Sequence, residues 1–154
     1  MCYLHMENPA LKVMIIDDDE INNFVAQKLI DKTNLPVQIQ FCKNGRNALD
    51  HLIQYCNQNT HLLPDCIFVD LTMPIMNGWA FLEEFDLLPF QALNNCKLYV
   101  VTSSILKSDE KHARQYKQVD GFVQKPVSVD KLGEIFSQTL SYNEIKNWPK
   151  NSLN

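Results

Sequence analysis

Short apolar runs alternate with stretches of helical period along this chain, five times over. Val13–Ile16 is a continuous apolar run, short enough for a buried strand. Ile21, Phe24, Val25 and Leu29 then recur at helical spacing, with Pro36 beyond them. Val37–Phe41 alternates apolar with polar, the pattern of a half-buried strand. Asn44-Gly45 punctuates, and Ala48, Leu49, Leu52, Ile53 and Cys56 form the next helical stripe. A polar stretch, Asn57–Pro64, leads into a third strand at Cys66–Val69. After Pro74 and Asn77-Gly78 comes a helix with Phe81, Leu82, Phe85 and Leu88 on one face. Leu98–Val101 reads as a fourth strand, residues 108–117 as a short polar helix, and Phe122–Gln124 as a short fifth strand. Ser128 is placed to cap a last helix buried through Leu132, Ile135, Phe136 and Leu140.

Strict β–α alternation predicts an α/β fold, a doubly wound five-stranded parallel sheet with helices on both faces. In such sheets ligands bind beyond the carboxyl ends of the strands, and reactive side chains belong there. The first strand runs into Asp17, Asp18, Asp19 and Glu20; the third ends at Asp70. The fourth ends at Thr102, followed by Ser103 and Ser104, and the fifth at Lys125-Pro126. Acids, a hydroxyl and an amine thus converge on one sheet edge from four segments.

Each has an ordinary explanation when taken alone. Asp19 and Glu20 suit a helix N-terminus, Asp70 an Asx turn, Thr102 a strand and Lys125 a solvated surface. The joint occurrence is what points to chemistry. Crowded carboxylates raise one another's pKa, and a hard cation with oxygen ligands removes that penalty. Asp17, Asp18 and Asp70 are therefore expected to form a magnesium site. Beside the metal, Asp70 could act as a nucleophile toward phosphorus. Thr102 would donate to one phosphoryl oxygen and Lys125 would pair with another. No GxGxxG or P-loop follows the first strand, so neither a dinucleotide nor a nucleoside triphosphate is indicated.

Composition narrows the class further. The chain has 154 residues, 45% hydrophobic and 21% charged, enough for one domain. The formal net charge of -4 argues against nucleic acid as a partner. No apolar run approaches the ~20 residues of a membrane span, and residues 1–10 lack the pattern of a signal peptide. Five cysteines, Cys2, Cys42, Cys56, Cys66 and Cys96, form no ligand cluster and read as reduced thiols of a cytoplasmic protein. Met6 offers an alternative start to Met1.

The stretches VMIIDDDEINN, PDCIFVDLTMPIMNGWAFLEE, VVTSS and GFVQKP together resemble the CheY-like receiver domains of two-component response regulators. The resemblance covers residues 11–141, leaving residues 1–10 as an N-terminal extension and 142–154 as a polar tail with Trp148-Pro149 and no output domain. It implies a flavodoxin-like strand order of 2-1-3-4-5. It implies that Asp70 is the phosphoacceptor and that Asp18 is a more direct metal ligand than Asp17. Thr72 would supply a backbone carbonyl to Mg2+, with Mn2+ as a substitute. Thr102 and Lys125 would be the switch hydroxyl and lysine, the Lys125-Pro126 bond would be cis, and Phe122 would be the aromatic that turns inward on phosphorylation. The chain departs from the family in three places: Phe122 lacks the usual phenolic hydroxyl, Asn77 stands where aspartate is common, and the segment Asn57–Pro64 is long.

The expected function is that of a response regulator in a phosphorelay, not an enzyme acting on external substrates. A sensor histidine kinase or histidine phosphotransfer protein would supply the phosphoryl group, and phosphorylation and dephosphorylation would be self-catalysed. Output would be a protein contact through the last two helices and the fifth strand, with no nucleic acid or membrane involved. Two rivals fit less well. An aspartyl-nucleophile phosphatase of the haloacid-dehalogenase type wants DxD, whereas Asp70-Leu71-Thr72 lacks the second acid. A phosphorylation-independent interaction module would not need Asp17, Asp18, Asp70 and Lys125 together.

Overall fold

In the computed structural model, which describes residues 10–88 and 90–147, the five strands are all parallel and lie in the order β2-β1-β3-β4-β5. They are β1 (Leu11–Ile16), β2 (Val37–Cys42), β3 (Cys66–Asp70), β4 (Lys97–Thr102) and β5 (Val119–Gln124). The helices are α1 (Glu20–Asp31), α2 (Gly45–Gln58), α3 (Gly78–Phe85), α4 (Phe90–Leu93), α5 (Lys107–Ala113) and α6 (Val129–Asn147).

Alternation along the strands divides the core between the two faces of the sheet. Met14 and Ile16 of β1, with Ile67, Val69, Leu98 and Val100, pack against Leu49 and Leu52 of α2 and Phe81, Leu82 and Phe85 of α3. Val13 and Ile15, with Phe68, Val101 and Val123, pack against Ile30 of α1 and Leu132, Ile135 and Phe136 of α6. β1, β3 and β4, flanked on both sides, are the apolar runs the chain shows there.

Several boundaries move from the expected ones, each for a local reason. β5 begins at Val119 rather than Phe122, across Asp120 and Gly121, which have poor strand propensity. A register irregularity beside Leu98 and Tyr99 accommodates them. There the Asp120 carboxylate accepts the Leu98 N–H at 2.9 Å, and a Cβ at Gly121 would come within 2.9 Å of the Tyr99 ring. Residues 108–117 are not one helix: α5 stops at Ala113, and Gln115 and Tyr116 turn back to the carbonyls of His112 and Ala113. The polar stretch after α2 is partly ordered, since α2 runs to Gln58 and Thr60–Leu62 forms a 3-10 turn. The short α4, unsignalled by the pattern, buries Leu93.

The apolar stripe of α1 is the largest departure. Ile21, Phe24 and Val25 are 74%, 63% and 46% exposed, and only Ile30 of this helix is buried. At the other end of the fold Ser128 caps α6, its hydroxyl oxygen accepting the Lys131 N–H at 3.1 Å. α6 continues past residue 141 to Asn147, and Asn143 donates to Asp65 at 3.1 Å. Residues 1–9, with Cys2 and Met6, and Trp148-Pro149 lie outside the described residues. Among the described residues no helix is long and apolar enough to cross a membrane. The four described cysteines are free, and burial pushes Cys42 up to about 12 and raises Cys66 and Cys96 as well, so these thiols are unionised at neutral pH.

Gly78 shows how tightly the site loop is packed. A Cβ there would lie 2.4 Å from the Asp70 carbonyl oxygen and 2.8 Å from Leu71 Cα. Gly78→Ala is expected to cost about 1–3 kcal/mol. Gly133, inside α6 with nothing within 4 Å of its would-be Cβ, is expected to gain about 0.5–1 kcal/mol as alanine. Urea unfolding midpoints of the two variants should move in opposite directions.

Candidate functional site

Asp17 follows β1 directly, its N–H still paired with the Cys42 carbonyl at 3.0 Å. That strand-like pairing holds it at 5% exposure. Its Oδ1 accepts the Asp19 N–H at 2.9 Å, and its Oδ2 accepts Lys125 Nζ at 2.7 Å and Asn22 Nδ2 at 3.3 Å. Asn23 Nδ2 donates to the Asp17 carbonyl at 3.1 Å, while Asn23 Oδ1 is a buried acceptor with no partner among the described residues. Asp18 is exposed, and its carboxylate makes no hydrogen bond among the described residues. Asp19 caps α1, accepting the N–H groups of Ile21 and Asn22.

Asp70 is the last residue of β3. Its Oδ2 accepts Lys125 Nζ at 3.0 Å and its Oδ1 accepts the Thr72 N–H at 3.1 Å. The loop beyond it is pulled tight: Met76 N–H returns to the Pro74 carbonyl at 2.7 Å, which forces Ile75 to a φ of 67°. Ile75 is left 86% exposed while Met76 enters the core. Asn77 then caps α3, its Oδ1 accepting the Ala80 N–H at 2.9 Å.

Lys125 follows β5, its N–H bonded to the Thr102 carbonyl at 2.8 Å, and the Lys125-Pro126 peptide is cis. Desolvation alone would lower the lysine pKa, but the hydrogen bonds to Asp17 and Asp70 outweigh it and hold the pKa above 10.5. Thr102 ends β4 and is 3% exposed; its hydroxyl oxygen accepts the Ser104 N–H at 3.1 Å. The Ser104 hydroxyl in turn donates to Asp109 at 2.6 Å. Phe122 pairs with Val100 in the sheet, is half-buried, and packs on the α2–α3 side, apart from the acids.

The fold therefore brings Asp17, Asp18, Asp70 and Lys125 into one cluster, with Thr72 lining the same cleft. Carboxylate oxygens of the three acids lie within 4.8 Å of one another. Three carboxylates and one ammonium leave two net negative charges, which a divalent cation would balance. An all-oxygen set with Asp18 uncommitted suits Mg2+ or Mn2+. Sequence reasoning gave no role to Asn22 and Asn23, which hold Asp17, or to Asp109, which holds Ser104. Their one signal was spacing: the two asparagines fall in the first turn of α1, five and six residues after Asp17.

The family model of the response regulator receiver domain matches residues 13–137. The chain belongs to that family. As a receiver domain it is 26% identical over 138 residues to two-component response regulator 24 of Arabidopsis thaliana, covering 90% of each chain. It is also 26% identical over 126 residues to hybrid signal transduction histidine kinase I of Dictyostelium discoideum. That match takes in 82% of this chain and 7% of the kinase. The crystal structure of a two component response regulator from Cytophaga hutchinsonii matches the fold with a TM-score of 0.77 and 27% identity, covering 86% of this receiver and 98% of that chain. The CheY-like fold and the two-component family read from the sequence are thus those of the molecule.

The Lys125 ammonium lies between two carboxylates with side-chain exposures of 7% and 13%. Lys125→Met is expected to cost about 1.5–3 kcal/mol at pH 7 in metal-free buffer, because it strands both acids. A lysine pKa raised by folding stabilises fully below 10.5 and ceases to do so as pH rises through the folded value. The gap between wild type and variant should therefore be the same at pH 7 and pH 9 and close only above pH 10.5 in chemical denaturation.

Proposed function

We propose that this receiver domain, within residues 11–141, is a phosphorylation switch in which Asp70 accepts a phosphoryl group from phosphohistidine. The donor is a sensor histidine kinase or a histidine phosphotransfer protein. The observation that carries this reading is the position of Lys125 Nζ, 2.7 Å from Asp17 and 3.0 Å from Asp70, with the Asp18 carboxylate free beside them. A nucleophilic carboxylate, a cation for the transferred group and a set of metal ligands stand at one sheet edge.

Asp17, Asp18, Asp70 and the Thr72 carbonyl would hold Mg2+, or Mn2+ in its place. The ion would supply neutralising charge between the attacking carboxylate and the phosphoryl oxygens. Asp70 attacks phosphorus through a carboxylate oxygen as the bond to the imidazole nitrogen breaks. Lys125, already on Asp70, shifts its ammonium to a phosphoryl oxygen. Thr102 turns its hydroxyl to a second one. Water later cleaves the acyl phosphate and restores the carboxylate.

The switch follows from Thr102. Its reorientation opens space beside β4, and Phe122, with no hydroxyl to desolvate, moves into that space. A ligand shifts a two-state equilibrium only through differential contacts; here these are the phosphoryl contacts of Thr102 and Lys125. The output contact is a protein bound at α5, β5 and α6.

Acetyl phosphate with Mg2+ is expected to add one phosphoryl group per chain, labile to base and hydroxylamine. Asp70→Asn should abolish the label, and Asp18→Ala should abolish the Mg2+-dependent labelling. A label on Ser103, Ser104 or a histidine, or continued turnover of generic phosphate esters, would overturn the reading.

Thr102→Ala is expected to label normally at Asp70 but to lose the beryllofluoride-induced change in amide exchange over residues 102–125. Equal responses in wild type and variant would mean that Thr102 does not link the site to the output face.

A further inference from the structure

A cavity of about 490 Å3 opens beside Asp70 and runs beneath α1. Asp17, Asp70 and Lys125 lie at its polar end. The larger part of the wall is apolar, with Ile15, Val25, Leu29, Phe68, Val127 and Leu132 contributing, while Asn22, Asn23, Thr72 and Ser103 add polar groups. Its volume falls within the range of small-molecule sites, about 300–1,000 Å3. α1 meets the core through its carboxyl-terminal part, where Ile30 is buried and Ala26 and Leu29 pack partly buried, while Ile21 and Phe24 nearer its amino end stay exposed.

A phosphoryl group, a metal ion and the lysine need only the polar end. The apolar chamber continuous with it is surplus to that chemistry, and it suits a molecule that carries a phosphoryl head and an apolar tail. Resting on the phosphorylation reading above, we propose that the cavity takes the acyl chain of a small-molecule phosphodonor. Acyl phosphates of medium chain length would then phosphorylate Asp70 in preference to acetyl phosphate.

The step balances without a further reactant. An Asp70 carboxylate oxygen forms a bond to phosphorus, the phosphorus–oxygen bond to the acyl group breaks, and the electron pair leaves on an aliphatic carboxylate anion. Attack in line puts the leaving oxygen away from Asp70, so the chain must turn back along the cleft to reach the apolar wall. An acetyl group is too short to do so, and longer chains reach it. Each methylene buried there raises the apparent affinity about fourfold.

The test compares initial rates of Asp70 labelling by acetyl, butanoyl and hexanoyl phosphate, with Mg2+ and at donor concentrations far below saturation. The expected result is a rise of at least tenfold from acetyl to hexanoyl in wild type. Ala26→Leu, which adds volume to the same cavity wall, should flatten the series and leave the acetyl rate unchanged. A second arm needs neither turnover nor metal: hexanoate, but not acetate, should shift the methyl resonances of Val25, Leu29 and Leu132. Equal wild-type rates across the series, or hexanoate shifts confined to the exposed Ile21 and Phe24, overturn the cavity assignment. Failure of every donor to label Asp70 counts instead against the phosphorylation reading, and the methyl shifts then decide the cavity by themselves.

Discussion

The Lys125 ammonium joins three strands that are far apart in sequence. It reaches from the end of β5 to Asp17 beyond β1 and to Asp70 at the end of β3, at 2.7 and 3.0 Å. Without it two carboxylates with little access to water would face each other unscreened, a costly arrangement in a medium of low dielectric. With it, the pair of acids becomes tolerable. The approach of Asp17 to Asp70 follows from that compromise, and the chemistry proposed for them depends on it.

The compromise holds only because the frame around it is stiff. β1, β3 and β4 are apolar on both faces and sandwiched between two layers of helices, so their carboxyl ends cannot drift apart without opening the core. The loops that finish the site are tied by short local bonds. Gly78 backs onto the Asp70 carbonyl, Met76 anchors the turn after Pro74, and Ser104 is held between Thr102 and Asp109. The Ser104 and Thr102 contacts are polar and exchangeable, unlike the packing below them. Exchanging those contacts therefore costs less than disturbing the packing below them.

One side of the molecule is less complete. α1 leaves Ile21, Phe24 and Val25 in solvent, and Val25 also lines a cavity that reaches Asp17, Asp70 and Lys125. An apolar surface adjoining a charged site is a costly arrangement for a folded chain alone and a useful one for recognising a ligand. The same helix supplies Asn22 and Asn23, which orient Asp17, so its loose packing and its role at the site are linked.

By itself the sequence determined the class of fold, the order of elements and the residues placed at the strand ends. Those follow from local periodicity and from the rule that parallel β–α units deliver their loops to one edge. Asp17, Asp18, Asp70, Thr102 and Lys125 were legible because each sits at the end of an apolar run. Tertiary structure decided what these runs could not encode. The start of β5 depends on a register irregularity against β4, a long-range pairing that overrides the poor propensity of Asp120 and Gly121. The exposure of α1's apolar stripe depends on how closely α1 approaches the sheet, which its own period does not fix. The ion pairs of Lys125 with two acids 55 and 108 residues away are set by strand order alone. Periodicity reports which face of an element is apolar; only packing decides what that face meets.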